Sequence, residues 1–97
     1  MLPIDDINAP LYTVGQVSSM LDVQAAYLRR LDSEQLVCPD RSEGGQRRYS
    51  RAEIDRIQRV TELAGEGMTL AGIKRLLVLE AEVAALRAEI KRLSGEG

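Results

Sequence analysis

Residues 36–50, LVCPDRSEGGQRRYS, constrain this chain more than any other stretch. The segment begins apolar, turns at Pro39, breaks at Gly44-Gly45 and returns through Arg47, Arg48 and Tyr49. A Gly-Gly step flanked by residues able to form strand reads as a β-hairpin turn. Adjacent arginines on the returning arm place two guanidinium forks beside one another on a protruding ribbon. That shape and charge suit a phosphate backbone. Helical signals on both sides make the basic hairpin a hypothesis about DNA.

A chain of 97 residues holds one domain, near the lower end of what a single core stabilises. It has no Phe or Trp and only three Tyr, so the core must come from Leu, Ile, Val and Ala. Such a core is thin and leans on a partner chain. With no His and with Cys38 alone, disulfide frameworks, His/Cys metal sites and His-based catalysis are excluded within one chain. No nucleophile–base pair or phosphate-binding glycine loop can be assembled either, so neither an enzyme nor a cofactor is expected. The amino terminus lacks a basic n-region, and no stretch approaches membrane-spanning length. The expected compartment is the cytoplasm.

The net charge of −2 argues against nucleic acid at first sight. Its distribution reverses that impression. Residues 1–23 carry three acids and no base, whereas residues 24–59 carry eight Arg against six acids. Between Arg41 and Arg51 there are four Arg and one Glu. A local basic patch on an acidic protein still binds phosphates, with modest non-specific affinity.

Residues 1–11 read as a flexible tail broken by Pro3 and Pro10. Thr13-Val14-Gly15-Gln16 has capping-box form, with Tyr12 and Val17 placed as a hydrophobic staple. A short helix from about Val14 to Leu21 follows, with Val17, Met20 and Leu21 expected on its buried side. After a turn at Asp22-Val23, a second helix from about Gln24 to Glu34 buries Leu28 and Leu31. Together they form a helix-turn-helix candidate. Beyond the hairpin, Ser50-Arg51-Ala52-Glu53 is a cleaner capping box, with Tyr49 and Ile54 as its staple. Its helix presents Ile54, Ile57, Val60 or Thr61, and Ala64, and stops near Gly65 and Gly67. Thr69 caps a last helix whose apolar set begins Leu70, Ile73, Leu76, Leu77. From there Leu76, Leu79, Val83, Leu86, Ile90 and Leu93 alternate by three and four, the spacing of a coiled-coil seam. Residues 94–97 read as a frayed tail.

The ordered set of Tyr12-Thr13-Val14-Gly15, Leu28-Arg29 with Asp32, Leu36-Val37-Cys38-Pro39, Arg41, residues 44–50 (GGQRRYS) and residues 68–74 (MTLAGIK) resembles the MerR family of bacterial transcription regulators. The resemblance implies a mainly α winged helix-turn-helix over residues 12–77, with the second helix in the major groove and the hairpin wing on adjacent backbone. It also implies a two-fold dimer joined through antiparallel C-terminal helices, here residues 78–93. The sequence departs from the family pattern at three places. Ala26 replaces an Arg, Arg30-Leu31 replaces an aromatic pair, and Gln35 replaces a turn glycine. Only residues 94–97 follow the seam, where metal- and drug-sensing members carry an effector module. The chain is closer to the short actinobacterial heat-shock repressor branch, which it resembles in residues 70–75 (LAGIKR).

The candidate DNA contacts are therefore Thr13, Gln24, Tyr27, Arg29, Arg30, Arg41, Arg47, Arg48 and Tyr49. Arg47 and Arg48 are assigned to backbone phosphates. Gln24, Tyr27 and Arg30, with Ala25, are candidates for the groove side of the second helix. Tyr49 is either a phosphate contact or only the staple to Ile54. Arg29 and Arg41 either reach DNA or pair with Asp32 or Glu43. Cys38 is small packing at a turn. Leu76, Leu79, Val83, Leu86, Ile90 and Leu93 form the expected homodimer seam on a regulator of double-stranded DNA. A rival reading keeps the fold but docks another regulator, a sigma factor or chaperone, on the last helix or wing.

Overall fold

The computed structural model describes residues 5–95. Elements run in the order β1 (Tyr12–Thr13), α1 (Val14–Leu21), α2 (Ala25–Ser33), β2 (Asp40–Arg41), β3 (Arg47–Tyr49), α3 (Arg51–Gly65) and α4 (Leu70–Leu93). The chain is mainly helical, with a small antiparallel sheet ordered β1-β3-β2.

Both capping boxes form. Thr13 Oγ1 accepts from Gln16 N at 3.1 Å while Gln16 Oε1 accepts from Thr13 N. Ser50 and Glu53 repeat the exchange at the start of α3. Each box satisfies two of the backbone donors that a helix start leaves orphaned. Thr69 caps α4 through Gly72 N. The α1–α2 turn is closed by Asp22 in the left-handed region (φ 53°), which a short polar side chain tolerates.

The core gathers one layer from every helix: Val17 of α1, Leu28 and Leu31 of α2, Ile54, Ile57, Val60 and Leu63 of α3, and Ile73 and Leu77 of α4. Leu36, Val37 and Tyr49 fill it from the wing side. Every member is an aliphatic residue except Tyr49, so each contributes roughly 1.5–3 kcal/mol of burial and none dominates.

Met20 is not on the buried side of α1. It is 55% exposed, because that face is centred on Val14, Val17 and Leu21. On α3 the buried face takes Val60 and Leu63, and Thr61 is exposed. Two-residue β1 also has no clear signal in the sequence. It exists because Tyr12 and Thr13 pair with Tyr49 and Arg48 of β3. The amino-terminal segment is not wholly loose, since the Ile7 carbonyl accepts from Ala52 N at 2.9 Å. Residues 1–4 and 96–97 of the expected tails lie outside the described residues.

Helix α4 is a single uninterrupted element of 24 residues, about 36 Å long at 1.5 Å per residue. Its first turns bury Ile73 and Leu77, and everything beyond Leu77 is exposed. No helix among the described residues is long and apolar enough to cross a membrane.

Candidate nucleic-acid interface

On α2, Leu28 and Leu31 point to the core, so the opposite side of the helix carries Ala26, Arg29, Arg30 and Ser33, all exposed. Gln24 is the N-cap residue and makes no side-chain cap bond, which leaves its exposed amide available at the helix start. Arg29 makes no ion pair among the described residues. Arg30 reaches Glu34 at 2.8 Å, an exposed i,i+4 pair of little strength that a stronger partner can displace. Tyr27 faces elsewhere than expected. Its hydroxyl lies 3.1 Å from Thr61 Oγ1 of α3, so it ties α2 to α3 and leaves the groove-facing set.

The wing corrects the picture of two side-by-side guanidinium groups. Successive side chains on a strand point to opposite faces. Tyr49 points inward and is fully buried, so Arg47, two residues earlier, shares its side and Arg48 takes the other. Arg47 Nε donates to Asp32 Oδ2 at 2.8 Å, with only 21% of its side chain exposed. Arg41 Nη2 reaches the same oxygen at 3.4 Å, and its Nη1 donates to the Gly45 carbonyl. Arg48 makes no ion pair among the described residues; Nη1 donates only to the neighbouring Arg47 carbonyl. Asp32 therefore holds Arg41 and Arg47, not Arg29.

Tyr49 cannot serve as a surface phosphate contact. Its side chain has no exposed area, and its hydroxyl has no hydrogen-bond partner among the described residues. Burial pushes its pKa upward, with the charge of Asp32 adding to the effect and Arg47 opposing it. Thr13 lies at the mouth of a shallow groove between the start of α1 and wing residues Arg41, Arg47 and Arg48. Its hydroxyl oxygen caps α1, and the hydroxyl proton is still free to donate. Positive side chains converging on the start of a helix make a surface suited to phosphate oxygens.

Cys38, read from the sequence as small packing at a turn, is exposed. Desolvation, together with the charge of Asp32, raises its pKa, and its thiol donates to the Asp32 carbonyl at 3.7 Å. No group of three His, Cys, Asp or Glu among the described residues is placed to hold a metal ion.

The family comparison settles what kind of protein presents this surface. Residues 12–79 match the MerR HTH family regulatory protein profile. The chain belongs to the MerR family. It is thus a DNA-binding transcriptional regulator of a family whose members are not enzymes. Among relatives, the Streptomyces coelicolor protein HspR, named for heat shock, is 38% identical over 88 residues, or 90% of this chain. The matched region spans 58% of that relative's length. The Bacillus anthracis regulator GlnR is 29% identical, with 93% of this chain and 72% of GlnR covered. Among solved structures, the N-terminal part of the Bacillus subtilis multidrug transporter activator MtaN superposes with a TM-score of 0.65 at 26% identity, covering 86% of this chain and 88% of that one. HiNmlR, a MerR-family regulator solved bound to promoter DNA, superposes with a TM-score of 0.62 at 24% identity, covering 86% and 79%.

Sequence reasoning offered Asp32 as a partner of Arg41 but missed its stronger bond to Arg47. The signal was present in strand alternation, because an inward Tyr49 obliges Arg47 to point toward the body of the domain.

Proposed function

We propose that this MerR-family protein binds a two-fold-symmetric DNA site as a homodimer. One α2 enters each of two successive major grooves, and the wings lie on the flanking backbone. The observation that carries this reading is the apolar stripe on α4. Leu79, Val83, Leu86, Ile90 and Leu93 are 44–68% exposed along one side of a helix that runs on past the core. Soluble chains seldom leave such a stripe in water, and an antiparallel copy of the same helix covers it with the same residues. A symmetric protein then reads a symmetric site, with half-sites set by the distance between its recognition helices.

In this arrangement Arg48, Arg41 and Arg29 contact phosphates, while Gln24 and Arg30 approach base edges. Thr13 adds a hydroxyl donor beside the wing. Ala26 puts a methyl group in the middle of the groove-facing side, so α2 offers few direct donors. Wing and backbone contacts then carry much of the affinity.

Selection of duplexes from a random library by the tagged native protein tests the proposal, combined with sedimentation of the free protein. The expected result is an enriched inverted repeat and a dimer at micromolar concentration. A single unrepeated motif bound by a monomer would overturn it. A stoichiometric second protein on α4, in place of a second copy, would favour the docking role instead.

A further inference from the structure

We infer that Asp32 is a positioning residue for DNA recognition, a single carboxylate that sets the wing against the recognition helix and lets the protein tell one sequence from another. The inference rests on the DNA-binding reading. It starts from a conflict built into the hairpin. Arg41 and Arg47 are register partners on β2 and β3, directly opposite one another. Like charges in that relation push the strands apart. The strands are only two and three residues long, and a hairpin so short is marginal by itself.

Asp32 answers both problems. It lies four residues after core residue Leu28 and next to Leu31, on the flank of α2 that meets the wing, and only 17% of its side chain is exposed. Its Oδ2 accepts from Arg47 Nε at 2.8 Å and from Arg41 Nη2 at 3.4 Å. One negative charge thus sits between two positive ones and joins them to the recognition helix. Gripped through Nε, the Arg47 guanidinium is held at a fixed angle to α2. Arg29, three residues before Asp32, stands one turn away on the same helix. The clamp therefore fixes the distance from the α2 face to the wing arginines.

This arrangement has a signature that a simple DNA contact or a purely structural residue lacks. Asp32 is an anion beside phosphate-binding groups, so it opposes sequence-independent attraction while it preserves geometry. Removing its charge should leave non-specific binding unchanged or tighter and weaken specific binding.

The test compares Asp32→Asn with the native chain on two duplexes of equal length, one selected from a random library by the native protein and one of random sequence. Affinity for the selected duplex should fall about tenfold, while affinity for the random duplex holds or rises. Asp32→Glu should recover part of the loss, and Asp32→Asn/Arg47→Ala should be no worse than the poorer single variant. Without DNA, the amides of Ser42 and Gln46 should exchange about tenfold faster in Asp32→Asn, with α3 amides unchanged. Equal losses on both duplexes, no loss on either, or unaltered wing exchange would overturn the inference. If the native protein selected no duplex, the role in recognition would fall with the DNA-binding reading, and the exchange measurement would still judge the clamp.

Discussion

Tyr49 is the one large polar side chain that the core encloses, and its hydroxyl is without a protein partner among the described residues. An unpaired buried hydroxyl costs free energy that a phenyl ring does not, so Tyr49→Phe should raise stability by about 1 kcal/mol in urea denaturation. The pH dependence follows from the raised pKa. The unfolded tyrosine ionises near pH 10 while the folded one stays protonated. The stabilising difference is whole below that pH and is lost as pH climbs through the folded value. The native chain should therefore weaken steeply on the alkaline side, and the Phe variant should show a flatter limb. A destabilised Phe variant would mean that the hydroxyl is satisfied in solution. Gln35 carries a different cost. It is held at φ 61°, where the family pattern has glycine, and Lys74 Nζ donates to its Oε1 at 3.2 Å. Relief of left-handed strain exceeds the added chain entropy of glycine, so Gln35→Gly should stabilise by about 0.5 kcal/mol. A loss in denaturation midpoint would show that the bond to Lys74 outweighs the strain.

Among the elements, α4 carries two unlike jobs along one axis. Its first turns place Ile73 and Leu77 in the core, and the rest presents the apolar stripe to solvent. Leu86 lies beyond the last core contact and is 63% exposed, so a change there spares the fold. Leu86→Asp buries a charge only if a second copy covers it. The expected outcome is a folded monomer, with unchanged far-ultraviolet circular dichroism and a halved sedimenting mass. A variant that still dimerises would move the interface off this stripe. On α3 the cap is the vulnerable point. Ser50→Ala removes the acceptor for Glu53 N and should cost about 1 kcal/mol. Arg51 replaced by Ala, one residue on and exposed, serves as the control in the same melting series.

At the scale of the whole molecule, charge and shape work against each other. The chain is acidic overall, yet eight of its eleven arginines fall within residues 24–59, five of them on α2 and the wing. The Cα radius of gyration is 15.7 Å, above the roughly 13 Å of a compact chain of similar length, because α4 projects from the body. If Arg29, Arg41 and Arg48 of each of two protomers neutralise one phosphate apiece, log K should fall against log salt with a slope of about −5. Arg48→Ala should shallow it by about two in the dimer while weakening all sequences alike. A slope near zero would exclude phosphate-led binding. A changed sequence preference in Arg48→Ala would instead place that side chain on bases.

Features that arise within four residues of chain were legible without coordinates. The capping boxes at Thr13 and Ser50, the hairpin turn at Gly44-Gly45, the start of α3 at Arg51 and the three-four apolar spacing along α4 all come from local hydrogen bonding, turn chemistry or helical period, which neighbouring residues determine. The main apolar faces followed the helical period as well, with Val17, Leu28, Leu31, Ile54 and Ile57 inward as read, but the fate of the polar side chains flanking them depended on partners far away in the chain. Tyr27 is claimed by Thr61 across 34 residues, Arg47 by Asp32 across 15, and β1 exists only through β3. A tyrosine or arginine beside a buried position carries the same local signal whether it faces DNA or the domain's own body. Only packing in three dimensions, where each buried polar group must find its partner, decides between the two.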